Sequence, residues 1–226
     1  MKTYMKFIIL AFLSVIFLAG GVLTQENWSS AQAKGTLDYN EVTHLAFMRE
    51  EEKLARDVYI KFSEFYPTAQ VFFNITESEQ RHTDSVLHVM DTFELEDPNT
   101  NDDVGEFTGE EWGEYFTDTY NALVEQGKKG LLEALYVGAL IEELDMHDII
   151  YCPEEIVDSS ELIQDKNDCG MVYTKEESIL TLYQNLLNGS ASHLKAYVYY
   201  IEKFIGEGNY EAQYLSQEEV DDILGR

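Results

Sequence analysis

The stretch NITESEQRHTDSVLHVM, residues 74–90, decides how the chain reads. Ile75, Val86, Val89 and then Phe93 recur at the three- and four-residue steps of one helical face, yet Glu79 and His82 stand in the same stripe. Asn74 or Thr76 is the expected cap of this helix. One Glu or one His on an apolar stripe is ordinarily an edge residue or a hydrogen-bonded core group, so a single helix of this kind proves little.

Three further segments repeat the pattern. Leu45, Met48, Glu52, Ala55, Tyr59 and Phe62 form one stripe, interrupted by Glu52. Leu131, Leu135, Gly138, Glu142, Asp145 and Ile149 form another, with two carboxylates. Leu182, Leu186, Gly189, His193, Ala196, Tyr200 and Phe204 form the last, and Ser190 lies one turn ahead of His193. Glu143, His147 and Asp148 point by helical angle to neighbours or solvent, and Tyr59, Tyr197, Tyr199 and Tyr200 read mainly as packing. The period near 3.6 continues from Leu37 onward with few prolines, so the class is all-α.

Burying Glu52, Glu79, His82, Glu142, Asp145 and His193 at the middle of four helices without counter-charge costs many kcal/mol, because desolvating a carboxylate is expensive. Lys and Arg are scarce in the stripes, so a bound metal pair is the expected compensation. Residues three apart on a helix project side by side, so Glu79 and His82 present a carboxylate and an imidazole from one backbone. Oxygen and imidazole donors together suit iron first and manganese second.

The rest of the chain sets boundaries. Its 226 residues suffice for one sizeable domain, and 15 Lys plus Arg against 43 Asp plus Glu give a formal charge of −28. Such a surface repels nucleic acid and anionic lipid. Lys2 and Lys6 precede an apolar run from Phe7 to Leu18, and Ala31-Gln32-Ala33 offers a cleavage site, so residues 1–33 read as an export signal, or as an anchor of marginal length if uncleaved. Export in turn favours a disulfide between Cys152 and Cys169, worth on the order of 3 kcal/mol, over two thiols or a zinc site. Between the second and third stripes, residues 97–116 read as a long crossover. Its Asp97, Asn99, Asn101 and Asp103 have the composition of a calcium loop but lack the terminal Glu of one.

Several blocks, REEEKLARDVYIKF, FFNITESEQRHTDSVLHVM, ALYVGALIEELDMHDI, NGSASHLKAYV and QYLSQEEVDDIL, resemble an uncharacterised ferritin-like family of exported bacterial and archaeal proteins, over residues 38–226. More distantly the chain is similar to rubrerythrins, whose first helix carries a ligand Glu followed by an Ala-Arg pair, as in Glu52 to Arg56 here. The resemblance implies a ferritin-like four-helix bundle with a long crossover between helices 2 and 3, holding two iron ions. It places Glu52, Glu79, His82 and Glu142 among the ligands. The fourth helix departs from the pattern: Ser190 to His193 lacks the expected Glu, and Asp145 is the candidate replacement. The expected activity is ferroxidase or peroxide reduction. Without a rubredoxin-type CxxC pair, electrons come from Fe(II) or an external donor, which favours ferroxidase. A non-catalytic metal-binding module and a calcium-dependent surface-assembly protein are the alternative classes, and a homodimer is expected by analogy.

Overall fold

A computed structural model describes residues 37–226, and the expected export signal lies outside them. The described residues contain seven helices and no strand: α1 (Tyr39–Phe65), α2 (Gln70–Thr92), α3 (Gly113–Gly127), α4 (Leu131–Ile150), α5 (Glu154–Ser159), α6 (Glu177–Ile205) and α7 (Gln217–Leu224). No helix among them is long and apolar enough to cross a membrane.

Local chemistry sets the ends of α1. Asp38 accepts from the Glu41 amide at 3.0 Å and Glu41 accepts from the Asp38 amide at 3.1 Å, a reciprocal capping box. The start of α2 is decided differently from the sequence reading. It begins at Gln70, not near Asn74, with no side-chain cap, because Val71 and Phe72 are buried and packing extends the helix backwards. Thr76 instead donates to the Phe72 carbonyl one turn back, at 2.8 Å.

Side-chain contacts fix the relative directions. Phe62 meets Phe72 and Arg49 donates to Thr83, so α1 and α2 run antiparallel. Tyr59 bonds Glu142 and His44 reaches the Asp148 carbonyl, which sets α1 antiparallel to α4. Phe72 packs on Tyr197 and His193 lies beside Glu79, so α2 and α6 are antiparallel as well. It follows that α2 and α4 run parallel, and the chain between them must return the length of a helix. That return is not all loop. From Gly113 it forms α3, whose Phe116 and Tyr120 are buried and which packs on α1 and α4.

Beneath this crossover, α1 is buried on every side from Phe47 to Tyr59. Its charges are matched internally. Lys53, fully buried, gives its three protons to Asp57 at 2.6 Å and to the carbonyls of Asp103 and Glu106 at 3.0 and 2.9 Å. Arg56 bonds Asp57, Gln80 and Asp102, and Arg49 pairs with Asp97 at 3.0 Å. The acidic crossover residues are therefore engaged with α1 and in turns, where Asp97 accepts from the Asn99 amide and Asn101 from that of Asp103.

The C-terminal stripe of α6 also differs from expectation. Tyr199, Tyr200 and Phe204 are exposed, while Tyr197, Val198 and Ile201 pack inward, so the buried face drifts by about one residue past His193. Cys152 and Cys169 form a disulfide, with Cα atoms 4.9 Å apart, that closes the segment between α4 and α6. Glu143, expected at a neighbouring or solvent position, is fully buried and accepts from the amides of Gln213, Tyr214 and Leu215 at 2.8, 2.6 and 3.0 Å and from the Tyr210 hydroxyl at 2.7 Å. One carboxylate thus gathers the start of the C-terminal tail, from Tyr210 to Leu215. Glu143→Ala leaves those donors without an acceptor and is expected to cost more than about 2 kcal/mol in urea unfolding.

Candidate metal centre

At mid-height of α1, α2, α4 and α6, Glu52, Glu79, His82, Glu142 and His193 come together, all buried or nearly so. Single ligand atoms of Glu79, His82 and His193 lie within 4.8 Å of one another, a group that could hold a metal ion. The arrangement has two halves. In one, His82 Nδ1 stands 3.3 Å from Glu52 Oε2 and 3.0 Å from Glu79 Oε2. In the other, His193 Nδ1 stands 2.7 Å from Glu79 Oε1 and 3.3 Å from Glu142 Oε2. Glu79 spans the two, with one oxygen toward each imidazole. The rings themselves are 5.3 Å apart.

Several buried atoms here have no hydrogen-bond partner: Glu52 Oε1, Glu79 Oε1, Asp145 Oδ1 and His193 Nδ1. The closeness of His193 Nδ1 and Glu79 Oε1 is not a hydrogen bond, because the two are misaligned for one. His82 Nδ1 and Glu79 Oε2 share a hydrogen bond at 3.0 Å, while those four atoms are unpaired, as a cation site requires. The charges say the same. Glu52, Glu79, Glu142 and Asp145 bring four carboxylates against two imidazoles, an excess of two even if both imidazoles are protonated.

Burial pushes Glu52 up to about 7 against the pull of His82, and it raises Glu142 and, more strongly, Asp145. Burial opposes the charged imidazoles, but the facing carboxylates outweigh it and lift His82 to about 12 and His193 to about 10. Glu79 is also opposed by burial, yet His193 and His82 hold it below the usual carboxylate range.

Around this group the surroundings are shaped to fit. A side chain at Gly189 would run into the His82 imidazole, and one at Gly138 into Tyr197. Tyr59 donates to Glu142 at 2.7 Å, so its hydroxyl has a partner inside the packing. Asp145 lies alongside, one oxygen bonded by the Ser190 hydroxyl and the other free. Ser190 occupies the α6 position where a second Glu was expected, and it turns to Asp145.

Residues 41–226 match the model of a family described as an uncharacterized protein domain, DUF2202. The chain belongs to that family. It is 36% identical over 195 residues to the uncharacterized protein MJ0754 of Methanocaldococcus jannaschii, covering 86% of this chain and 92% of that one. The crystal structure titled as hypothetical protein MJ0754 superimposes with a TM-score of 0.69 over 87% of this chain and 98% of that chain.

Three residues of this DUF2202 chain carry roles that the stripes did not reveal. His44 is fully buried; its Nε2 faces the Asp148 carbonyl at 2.8 Å and so carries the proton, and Nδ1 accepts from Tyr183 at 2.6 Å. Glu50 and Glu51 are buried beside Glu52, Glu50 against Gly109 of the crossover and Glu51 facing Asp148. The period singles out Glu52, but in a helix buried all round it gives no sign that Glu50 and Glu51 are buried as well.

Burial lowers His44 from 6.5 to about 4. The unfolded chain binds a proton more readily between those values, so the contribution of His44 is complete above about pH 6.5 and lost as pH falls to about 4, on the order of 3 kcal/mol. Urea unfolding at pH 7 and 4.5 should show a smaller acid penalty in His44→Gln than in the parent. Gly189→Ala, a change that favours a helix by about 1 kcal/mol, is expected instead to lower stability because of His82.

Proposed function

We propose that this DUF2202 protein is an exported, ferritin-like metal protein that binds a pair of iron ions and oxidises Fe(II) with O2 or peroxide. The observation that carries the reading is the bidentate reach of Glu79: its two oxygens face two different imidazoles, and each imidazole has its own second carboxylate, Glu52 or Glu142. Two half-sites sharing one carboxylate suit two cations rather than one. The parallel run of α2 and α4 with its long return supports a ferritin-like connectivity. An apolar run behind Lys2 and Lys6, together with the Cys152–Cys169 disulfide, favours an oxidising compartment outside the cytoplasm.

Two Fe(II) ions, when bound there, would supply the two electrons that reduce peroxide to water, 2 Fe(II) + H2O2 + 2 H+ giving 2 Fe(III) + 2 H2O. The protein's own contribution is placement and charge. Glu52, Glu79 and Glu142 would offset the positive charge of the ions, and His82 and His193 would supply neutral nitrogen donors after losing their protons. Asp145, oriented by Ser190, adds the carboxylate that α6 lacks. Tyr59 keeps one oxygen of Glu142 hydrogen-bonded, which orients it. Electrons come from Fe(II) itself or an external donor, because both cysteines are bridged. Manganese fits the same donors, and a non-catalytic metal-holding role is the second reading, favoured by the deep burial of the group.

Anaerobic loading with two equivalents of Fe(II), followed by H2O2 or air, separates these readings. Oxidation at least tenfold faster than for Fe(II) in buffer, and lost in His193→Ala, is the expected result. Tight binding with oxidation at the buffer rate supports the non-catalytic role instead.

A further inference from the structure

We propose that the seam between α2 and α6 is the route by which metal ions reach the His82 and His193 group, a step that rests on the metal-binding reading above. Along the bundle axis the group is closed off by buried apolar side chains, Phe62, Phe72 and Tyr197 on one side and Leu45, Val86 and Leu186 on the other. An ion must therefore pass between two helices.

Three of the four seams are covered by the chain itself. Over α1 and α2 lies the crossover, where Arg56 bonds both Gln80 and Asp102, and Arg49 bonds both Thr83 and Asp97. Helix α3 packs on α1 and α4. The C-terminal tail spans α4 and α6. Its Gln213 donates to the Tyr136 carbonyl at 2.8 Å, and Tyr210 donates from its hydroxyl to Glu143 at 2.7 Å and from its amide to Glu202 at 3.3 Å.

Between α2 and α6 the surface is different. A groove of about 500 Å³ runs there whose lining comes from these two helices alone, with Asp84, Ser85 and His88 on one wall and Ser178, Thr181 and Asn185 on the other. Ser85 lies one helical turn from His82, and Asn185 one turn from Gly189, whose bare backbone abuts the His82 ring. The inner end of the groove thus meets the site at its imidazoles. Exposure agrees with this: the side chains of His82 and His193 are 12 and 9 % exposed, whereas those of Glu52 and Glu142, on α1 and α4, are 1 and 2 % exposed. The group is sealed on its carboxylate side and thinly covered on its imidazole side.

The lining also suits a hydrated dication in transit. Hydroxyl, amide and carboxylate oxygens replace part of its water shell without enclosing it. Arg81, the one permanent positive charge in the lining, has Asp84 three residues further along the same helix to offset it.

Co(II) under anaerobic conditions is the probe, because its visible absorbance reports binding to imidazole and carboxylate. Ser85→Trp and Asn185→Trp fill the groove from opposite walls at exposed helical positions, and Asp118→Trp, exposed on α3, is the control. A blocked route slows entry and exit alike and leaves their ratio unchanged. Co(II) loading and its release to excess EDTA should therefore both fall by roughly tenfold in the two groove variants, with the number of ions and the Kd of the parent, while Asp118→Trp keeps the parent's rates. Unchanged rates in both groove variants, or equal slowing in the control, overturn the route and leave the metal-binding reading intact. A weaker Kd with an unchanged loading rate marks a distorted site and overturns the route as well. A parent protein that takes up no Co(II) overturns that reading, and the route with it.

Discussion

Negative charge held away from water is the constraint on which the rest of this molecule depends. Glu50, Glu51, Glu52, Glu79, Glu142, Glu143, Asp145 and Asp148 are all buried. A carboxylate in that environment must be neutralised by a proton, a basic side chain, an array of N–H donors or a cation. The chain uses different solutions at different heights. Glu143 is satisfied by three successive backbone amides and a hydroxyl, and Asp57 by Lys53, Arg56 and the Gly105 amide. Those groups are structural, and their partners are all present within the chain.

The mid-height group is built otherwise. Its carboxylates face imidazoles and not lysine or arginine, and several of its oxygens have nothing to accept from. Around it the packing is tight, with Gly189 making room for His82 and Gly138 for Tyr197. A rigid shell that leaves its central polar atoms unpaired differs from one that merely tolerates a stray charge. Replacing those groups by apolar ones would be the cheaper way to make a core. A bound cation, as proposed, would convert this like-charge repulsion into attraction.

Much of this was legible beforehand, for a definite reason. Glu79 and His82 three apart on an otherwise apolar stripe, matched by Glu52, Glu142 and His193 on three others, are exceptions to a strong period, and exceptions are visible against regularity. The all-helical class and the Cys152–Cys169 bridge were legible for similar reasons. What was hidden depends on surfaces that no period records. Helix α3 covers α1, so α1 has no solvent face, and Lys53, Glu50 and Glu51 look like an ordinary solvated face until the crossover is folded over them. The start of α2 was set by burial of Val71 and Phe72 and not by a capping residue, and the outward turn of Tyr200 and Phe204 reflects the drift of a long helix past its partners.

Native mass spectrometry of the metal-free protein after anaerobic addition of Fe(II) tests the central claim most directly. Two ions retained per chain, falling when Glu79→Gln removes the shared carboxylate charge, is the result this account predicts. A chain that stays folded and retains no ion would contradict it, and the buried carboxylates would then have to be held by protons alone.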